Sequence, residues 1–252
     1  MIIKGNRELK NHYHELCSGD MCIGTISSRH MKSFMLIDLL ERNINCLPSP
    51  LSQILNSSKA AQALILKNWM LPHTCVITKR TELIETINTY NKNRISSSVV
   101  TKEDHMHCGY GLRKWDTIET VYSFMSQSES SYPFVVQPFI ENFTDLRVII
   151  VGDYTEAYTR HNPDNFRMNI AAGGKSHPYM LKKEEKDFCY AIMKRSRFPF
   201  AHIDIMITEN GNHHLTEIAL NGGIKGASIK RKELDKKKQD LLEKLAKKLA
   251  QN

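Results

Sequence analysis

Residues 160–174 read Arg160-His161-Asn162-Pro163-Asp164-Asn165-Phe166-Arg167-Met168-Asn169-Ile170-Ala171-Ala172-Gly173-Gly174. The stretch is too rich in Pro, Asn, Asp and Gly for one regular element to run through it, so it reads as a loop ending in a glycine pair. Arginines are mostly surface residues, so the reading depends on what flanks the loop.

On the N-terminal side, Leu146–Val151 and Tyr154–Thr159 enclose Gly152-Asp153 and predict a β-hairpin. On the C-terminal side a helix is expected over about 183–195. A further hairpin follows, with His202–Thr208 and His213–Ile218 around Glu209-Asn210-Gly211-Asn212. Working back toward the start, Pro133–Ile140 is an apolar strand that runs into a connector, and a helix is expected near 118–126. Cys75–Thr78 and Ser98–Val100 read as strands around a helix over about 82–90, the second leading into a loop with Gly109 and Gly111. The opening alternates strand and helix. Strands are expected at 21–26 and 45–47, a helix over about 33–42, and another from the Asn56-Ser57-Ser58 cap toward Trp69. Residues 1–20 look polar and irregular. The pattern as a whole is α/β.

The chain has 252 residues, 41% apolar and 25% charged, which excludes disorder and fibrous architectures. Apolar runs such as Val148–Val151 fall far short of the roughly 20 residues of a membrane helix, and Met1-Ile2-Ile3-Lys4 opens no signal peptide. Six cysteines without a CxxC pair fit a reducing cytoplasm. Of the net charge of +8, six units sit in residues 225–252, which hold ten Lys or Arg against four Asp or Glu. There Leu234, Leu241, Leu242, Leu245 and Leu249 recur at helical spacing, predicting a docked amphipathic helix with Lys236, Lys237 and Lys238 on its solvated face. That disfavours nucleic acid as a partner, since the charge belongs to one helix face. The loop after Lys102 holds no Gly-Lys-Ser/Thr, which disfavours a P-loop.

Taken in order, the motifs resemble the ATP-grasp superfamily and, within it, the RimK-like carboxylate–amine ligases, over about residues 34–230. Ser58-Lys59, a helix and Leu71-Pro72-His73-Thr74 come first. Val99-Val100-Thr101-Lys102 through Gly109-Tyr110-Gly111 is similar to the family's lysine and glycine-rich lid, and Val136-Gln137-Pro138-Phe139-Ile140 to its adenine hinge. Asp145-Leu146-Arg147, then Arg160 with Phe166-Arg167-Met168-Asn169 and Gly173-Gly174, complete the set.

The resemblance implies an α/β ATP-grasp fold with four segments: a short N-terminal β-α-β domain (1–74), a small lobe with the lid (75–133), a large lobe with metal and phosphate sites (134–230) and the basic helix (231–252). It implies ATP bound by Lys59 and Lys102, with Lys102 on the lid. Gly109 and Gly111 would permit close approach, Gln137, Pro138 and Ile140 would hold adenine, and Asp145 would lie near the ribose. Arg160 would hold transferring phosphate, while Arg167, Asn169 and the Gly173-Gly174 backbone would hold an acyl phosphate or carboxylate. Mg²⁺, or Mn²⁺ in its place, would be bound by Asp204 and Glu217. The family's next ligand is an asparagine two residues after the glutamate; here that position is Ala219, and Asn221 is the expected substitute. The implied activity is amide or peptide bond formation through an acyl phosphate. A regulatory ATP-binding module and a phosphotransferase are the alternatives. Partners would be an amino acid or peptide, with an anionic acceptor favoured, and the short N-terminal domain leaves room for a homo-oligomer.

Overall fold

The computed structural model describes residues 1–27, 31–95, 97–106 and 109–251; Cys108 therefore lies outside the described residues. The chain opens with β1 (Ile2–Lys4), α1 (Gly5–His12), β2 (Met21–Ile23), α2 (Lys32–Glu41), β3 (Asn45–Leu47), α3 (Pro50–Leu55) and α4 (Lys59–Ile65). It continues with β4 (Cys75–Ile77), α5 (Arg80–Asn93), β5 (Val99–Glu103), β6 (Leu112–Trp115), α6 (Ile118–Met125) and β7 (Phe134–Pro138). The last part runs β8 (Phe143–Val151), β9 (Tyr154–His161), β10 (Lys175–Pro178), α7 (Lys183–Ser196), β11 (Phe200–Thr208), β12 (His213–Ala219) and α8 (Arg231–Leu249).

Three sheets result: parallel β1-β2-β3, antiparallel β4-β7-β5-β6, and antiparallel β10-β9-β8-β11-β12. The expected strands and hairpins are present, and five elements, β1, α1, α3, β6 and β10, go beyond the expectation. The first 20 residues are not irregular, because Ile3 pairs with Cys22 in register and joins Leu9, Leu36 and Leu39 in one small core. Too few apolar residues lie there to display a period. α3 begins at a Ser49 cap with Pro50 in the first turn, a start signal readable in Ser-Pro. β6 and β10 are edge strands with few buried side chains, so alternation could not reveal them.

β8 and β11 pair along nine residues, Phe143↔Thr208 to Val151↔Phe200. The two-residue alternation puts Leu146, Val148, Ile150, Ala201, Ile203 and Ile205, all at most 1% exposed, on one face. It puts Asp145, Arg147, His202, Asp204 and Met206 on the other. Leu55, Ala60, Ala63, Leu66 and Met70 share the large sheet's core rather than the small N-terminal one.

α8 packs on β8 and touches β2 and β3. Its buried stripe is Leu234, Lys238, Leu242 and Ala246, which corrects two expectations. Leu249 is exposed, and Lys238 is buried at 5% exposure; the stripe runs at a strict four-residue interval, which Lys238 meets and Leu249 misses. Leu234→Ala should therefore cost about 2–5 kcal/mol, read as a lower denaturation midpoint. Lys236→Gln with Lys237→Gln should change stability by less than about 0.5 kcal/mol.

Candidate active site

A cleft of about 830 Å³ opens between the four-stranded and five-stranded sheets. Its upper wall carries Lys59, at the start of α4, Lys102 on β5, and Gly109, Gly111 and Leu112 of the β5–β6 turn. Its inner end is Gln137, Pro138, Phe139 and Ile140, and its floor is the polar face of β8, β9, β11 and β12.

α4 starts where it does because the Ser58 hydroxyl accepts from Ala61 N–H, while the Asp104 carboxylate accepts from Ser58 Oγ (2.8 Å) and Ala60 N–H (3.2 Å). Asp104, which carried no motif signal, thus ties Lys59's helix to the lid strand. Lys59 Nζ donates to the Met106 carbonyl. Lys102 is a strand residue, not a lid residue. It pairs with Leu112 and Val135 in the sheet, is 8% exposed, and donates to the Thr216 carbonyl at 3.2 Å. Burial pulls its ammonium down to about 8, with Glu217 opposing and Lys59 adding to the fall.

The floor is a network of charges. Asp145 sits opposite Arg160 in register and accepts from its Nε and Nη2, both at 2.9 Å. Asp204 accepts from Arg147 Nε and Nη2, both at 2.6 Å, and lies 3.0 Å from Arg160 Nη2. Burial would raise the Asp204 carboxyl, but the two guanidiniums outweigh it and hold it well below the usual carboxylate range. Arg160, expected as a phosphate ligand, is instead the buried hub between two carboxylates, 8% exposed. Register is the cause, since β9 and β11 flank β8 and set Arg160 opposite Asp145 and Asp204 opposite Arg147 on one face.

Arg167 and Asn169 line the cleft, and the Arg167 guanidinium donates to the carbonyls of Gly109 (3.3 Å) and Leu112, so it clasps the glycine turn to the large sheet. Gly173 and Gly174 are not among the cleft's lining residues, which end at Ala171 on this loop. A Cβ on Gly174 would stand 2.3 Å from the Met168 carbonyl oxygen, so the pair shapes the loop from behind. Sequence reasoning also missed Phe139, which meets Phe166 edge-on at 6.3 Å with Lys114 Nζ 3.9 Å above its ring.

The metal expectation meets a divided donor set. Asp204 and Glu217 are cross-strand partners and both line the cleft, as hard-oxygen chemistry requires. Asp204, however, is committed to two arginines, and the Asn221 side-chain oxygen accepts from Lys238 Nζ at 2.9 Å. Among the described residues no group of three or more His, Cys, Asp or Glu side chains is placed to hold a metal ion. Of the expected set, Glu217 is the oxygen donor not taken up by an arginine or by Lys238. Position 219 and Asn221 do not extend that set.

The RimK-like ATP-grasp domain pattern matches residues 55–244. The chain belongs to the RimK-like ATP-grasp family. Within curated proteins it is 26% identical, over 154 residues, to the α-aminoadipate–LysW ligase LysX of Saccharolobus solfataricus, covering 58% of this chain and 54% of that one. This chain thus spans about half the length of the curated relatives it matches. Among solved structures it superposes on D-alanine–D-alanine ligase of Bacillus anthracis complexed with ATP, at a TM-score of 0.63 and 16% identity, covering 94% of this chain and 81% of that one. It also superposes on a RiPP-associated ATP-grasp ligase of Chryseobacterium gregarium, solved with ADP and a leader and core peptide. There the TM-score is 0.60 and the identity 17%, with 88% and 75% of the two chains covered. These likenesses show the ATP-grasp fold, with its α/β lobes and intervening cleft.

Proposed function

We propose that the protein is an ATP-dependent carboxylate–amine ligase. The observation that carries this reading is the meeting of Lys59 and Lys102, from one wall of the cleft, with Glu217 and the arginine-bound acids of the opposite floor. Adenine would lie against Pro138, Phe139 and Ile140, with the Pro138 carbonyl as acceptor and the Ile140 N–H as donor. Its phosphates would then run toward the two lysines, which neutralise charge that a carboxylate-lined floor would otherwise repel. Mg²⁺ entering with the nucleotide would neutralise further phosphate charge, held on the protein side by Glu217.

An acceptor carboxylate oxygen would attack the γ-phosphorus as the bond to ADP breaks, giving an acyl phosphate and ADP. An amine would then add to the acyl carbon and expel phosphate, with the amine's proton leaving to phosphate or water. Arg167 and Asn169 are the lining groups suited to bind the acyl phosphate, because Arg160 and Arg147 are already paired with acids. Arg160 and Arg147 would act one step back, fixing Asp145 and Asp204.

The relatives' names support an amino acid or a peptide as acceptor, and the cleft cations bonded to carbonyls rather than to acids, Lys59, Lys102 and Arg167, favour an anionic one. The test is ADP release screened over amino acids and acidic peptides, with mass spectrometry of the product. An amide-linked product supports ligation, and a phosphorylated acceptor would show a phosphotransferase instead. The arginine-locked Asp204 and Ala219 favour a second reading, a nucleotide-binding module without turnover. ATP that binds but is never consumed, with or without chelator, would establish that reading.

A further inference from the structure

Lys238 reaches the strand face that carries the charged network, although it belongs to α8. Its ammonium donates to the Leu220 carbonyl at 2.7 Å, Asn221 Oδ1 at 2.9 Å and His202 Nε2 at 3.2 Å. Three hydrogens thus meet three acceptors, which fixes the group in place. Its ammonium also lies 5.0 Å from the Phe200 ring centroid. Asp235 favours its charge only from a distance, no ion pair holds it among the described residues, and burial of a cation without a contacting anion is costly. His202 stands opposite Ala219 in the β11–β12 ladder, and both line the cleft together with Asn221. The charge therefore sits immediately behind the position where no ligand oxygen is present, against the one amide that could have replaced it. An ammonium at Asn221 Oδ1 repels any metal ion that would use that oxygen.

We propose that Lys238 is a fixed cation of the nucleotide site, supplying to the phosphate end of the cleft the positive charge that a further protein-bound metal ion would bring. The nucleotide's polyphosphate would supply an anion nearer the cleft than Asp235, whose charge acts on Lys238 from its own helix. Lys238 is a positioning residue in this role, because it acts through Asn221 and His202 and across the wall they form. Ala219 and Lys238 are then a matched pair, one removing a metal oxygen and the other making it unnecessary. The inference rests on the reading of the cleft as an ATP site.

The test is calorimetric binding of AMP, ADP and ATP in EDTA, so that the protein's own cations are read alone. Lys238→Gln keeps a donor but not the charge and should weaken ADP and ATP about tenfold, a change of roughly 1.4 kcal/mol, with AMP altered less than twofold. Lys238→Arg should recover most of the loss. Asn221→Asp, which gives the ammonium a counter-ion in place, should lower ADP affinity in the same way while raising the melting temperature. Folded Lys238→Gln with unchanged ADP and ATP affinity overturns the proposal, as does Arg performing no better than Gln. Tighter ADP binding by Asn221→Asp in EDTA overturns it too, and if Lys238→Gln fails to fold, Lys238→Met, apolar and of similar length, is read by the same affinity criterion. Wild-type protein that binds none of the three nucleotides overturns the ATP-site reading and the inference with it.

Discussion

Arg160→Ala is expected to destabilise the protein by about 3–5 kcal/mol, the usual cost of removing one partner from a buried ion pair. Arg160 is bidentate to Asp145 and 3.0 Å from Asp204, and its removal leaves Asp145 buried at 6% exposure without its guanidinium. Asp204 keeps Arg147, which limits the damage to one acid. Urea denaturation reads the loss directly, and a change below about 1 kcal/mol would contradict the hub assignment. Arg160→Lys should recover only part, because an ammonium cannot reproduce two parallel donors. Any loss of activity in Arg160 variants has to be read beside this stability loss, since the residue's primary contacts are acids of its own sheet.

Lys102→Met is expected to have the opposite stability effect and a large binding effect. The ammonium lies inside a strand, out of water, and burial lowers its proton affinity, so an apolar side chain of similar length should leave the melting temperature unchanged or raise it. Affinity for ADP and ATP should fall at least about tenfold, the factor that 1.4 kcal/mol of lost charge interaction gives. A folded variant with wild-type nucleotide affinity would remove Lys102 from the site. Lys59→Met should weaken binding as well, with smaller consequence for stability, since Lys59 starts a helix and its ammonium reaches a lid carbonyl from an exposed position.

How much of this was readable beforehand differs by kind of interaction. Hairpins announced themselves through Gly152-Asp153 and Asn210-Gly211, and the ordered motifs gave the family. The cleft's lining then gathered Lys59, Lys102, the hinge 137–140 and Glu217 as expected. What could not be read were the partners. Arg160 and Arg147 look like ligand-binding arginines in isolation, and only the β9-β8-β11 register shows that their first obligation is to Asp145 and Asp204. Lys238 carried no signal at all. In a helix of alternating lysines and leucines, one lysine at the buried four-residue interval is indistinguishable from its exposed neighbours until the helix is docked. The apolar run of Lys102's strand ends at Val100, which is why the sequence alone points to a lid for Lys102. The strand in fact runs to Glu103, carrying the polar pair Thr101-Lys102 into the sheet.

The strand order of the five-stranded sheet also dictates a sequence of events as the chain acquires its shape. β8 and β9 are joined by two residues and close as a local hairpin, so Asp145 and Arg160, fifteen positions apart, can meet early. Arg147 must wait for Asp204, fifty-seven positions later, because β10 and α7 lie between β9 and β11 in the chain. During that interval the Arg147 guanidinium stands on the polar face of the nascent hairpin without its acid, a reason for the late strand to be drawn in promptly once it exists. Pulse-labelled hydrogen exchange during refolding should accordingly protect the amides of the 143–161 hairpin before those of 200–208, and simultaneous protection would show that the two strands assemble as one event.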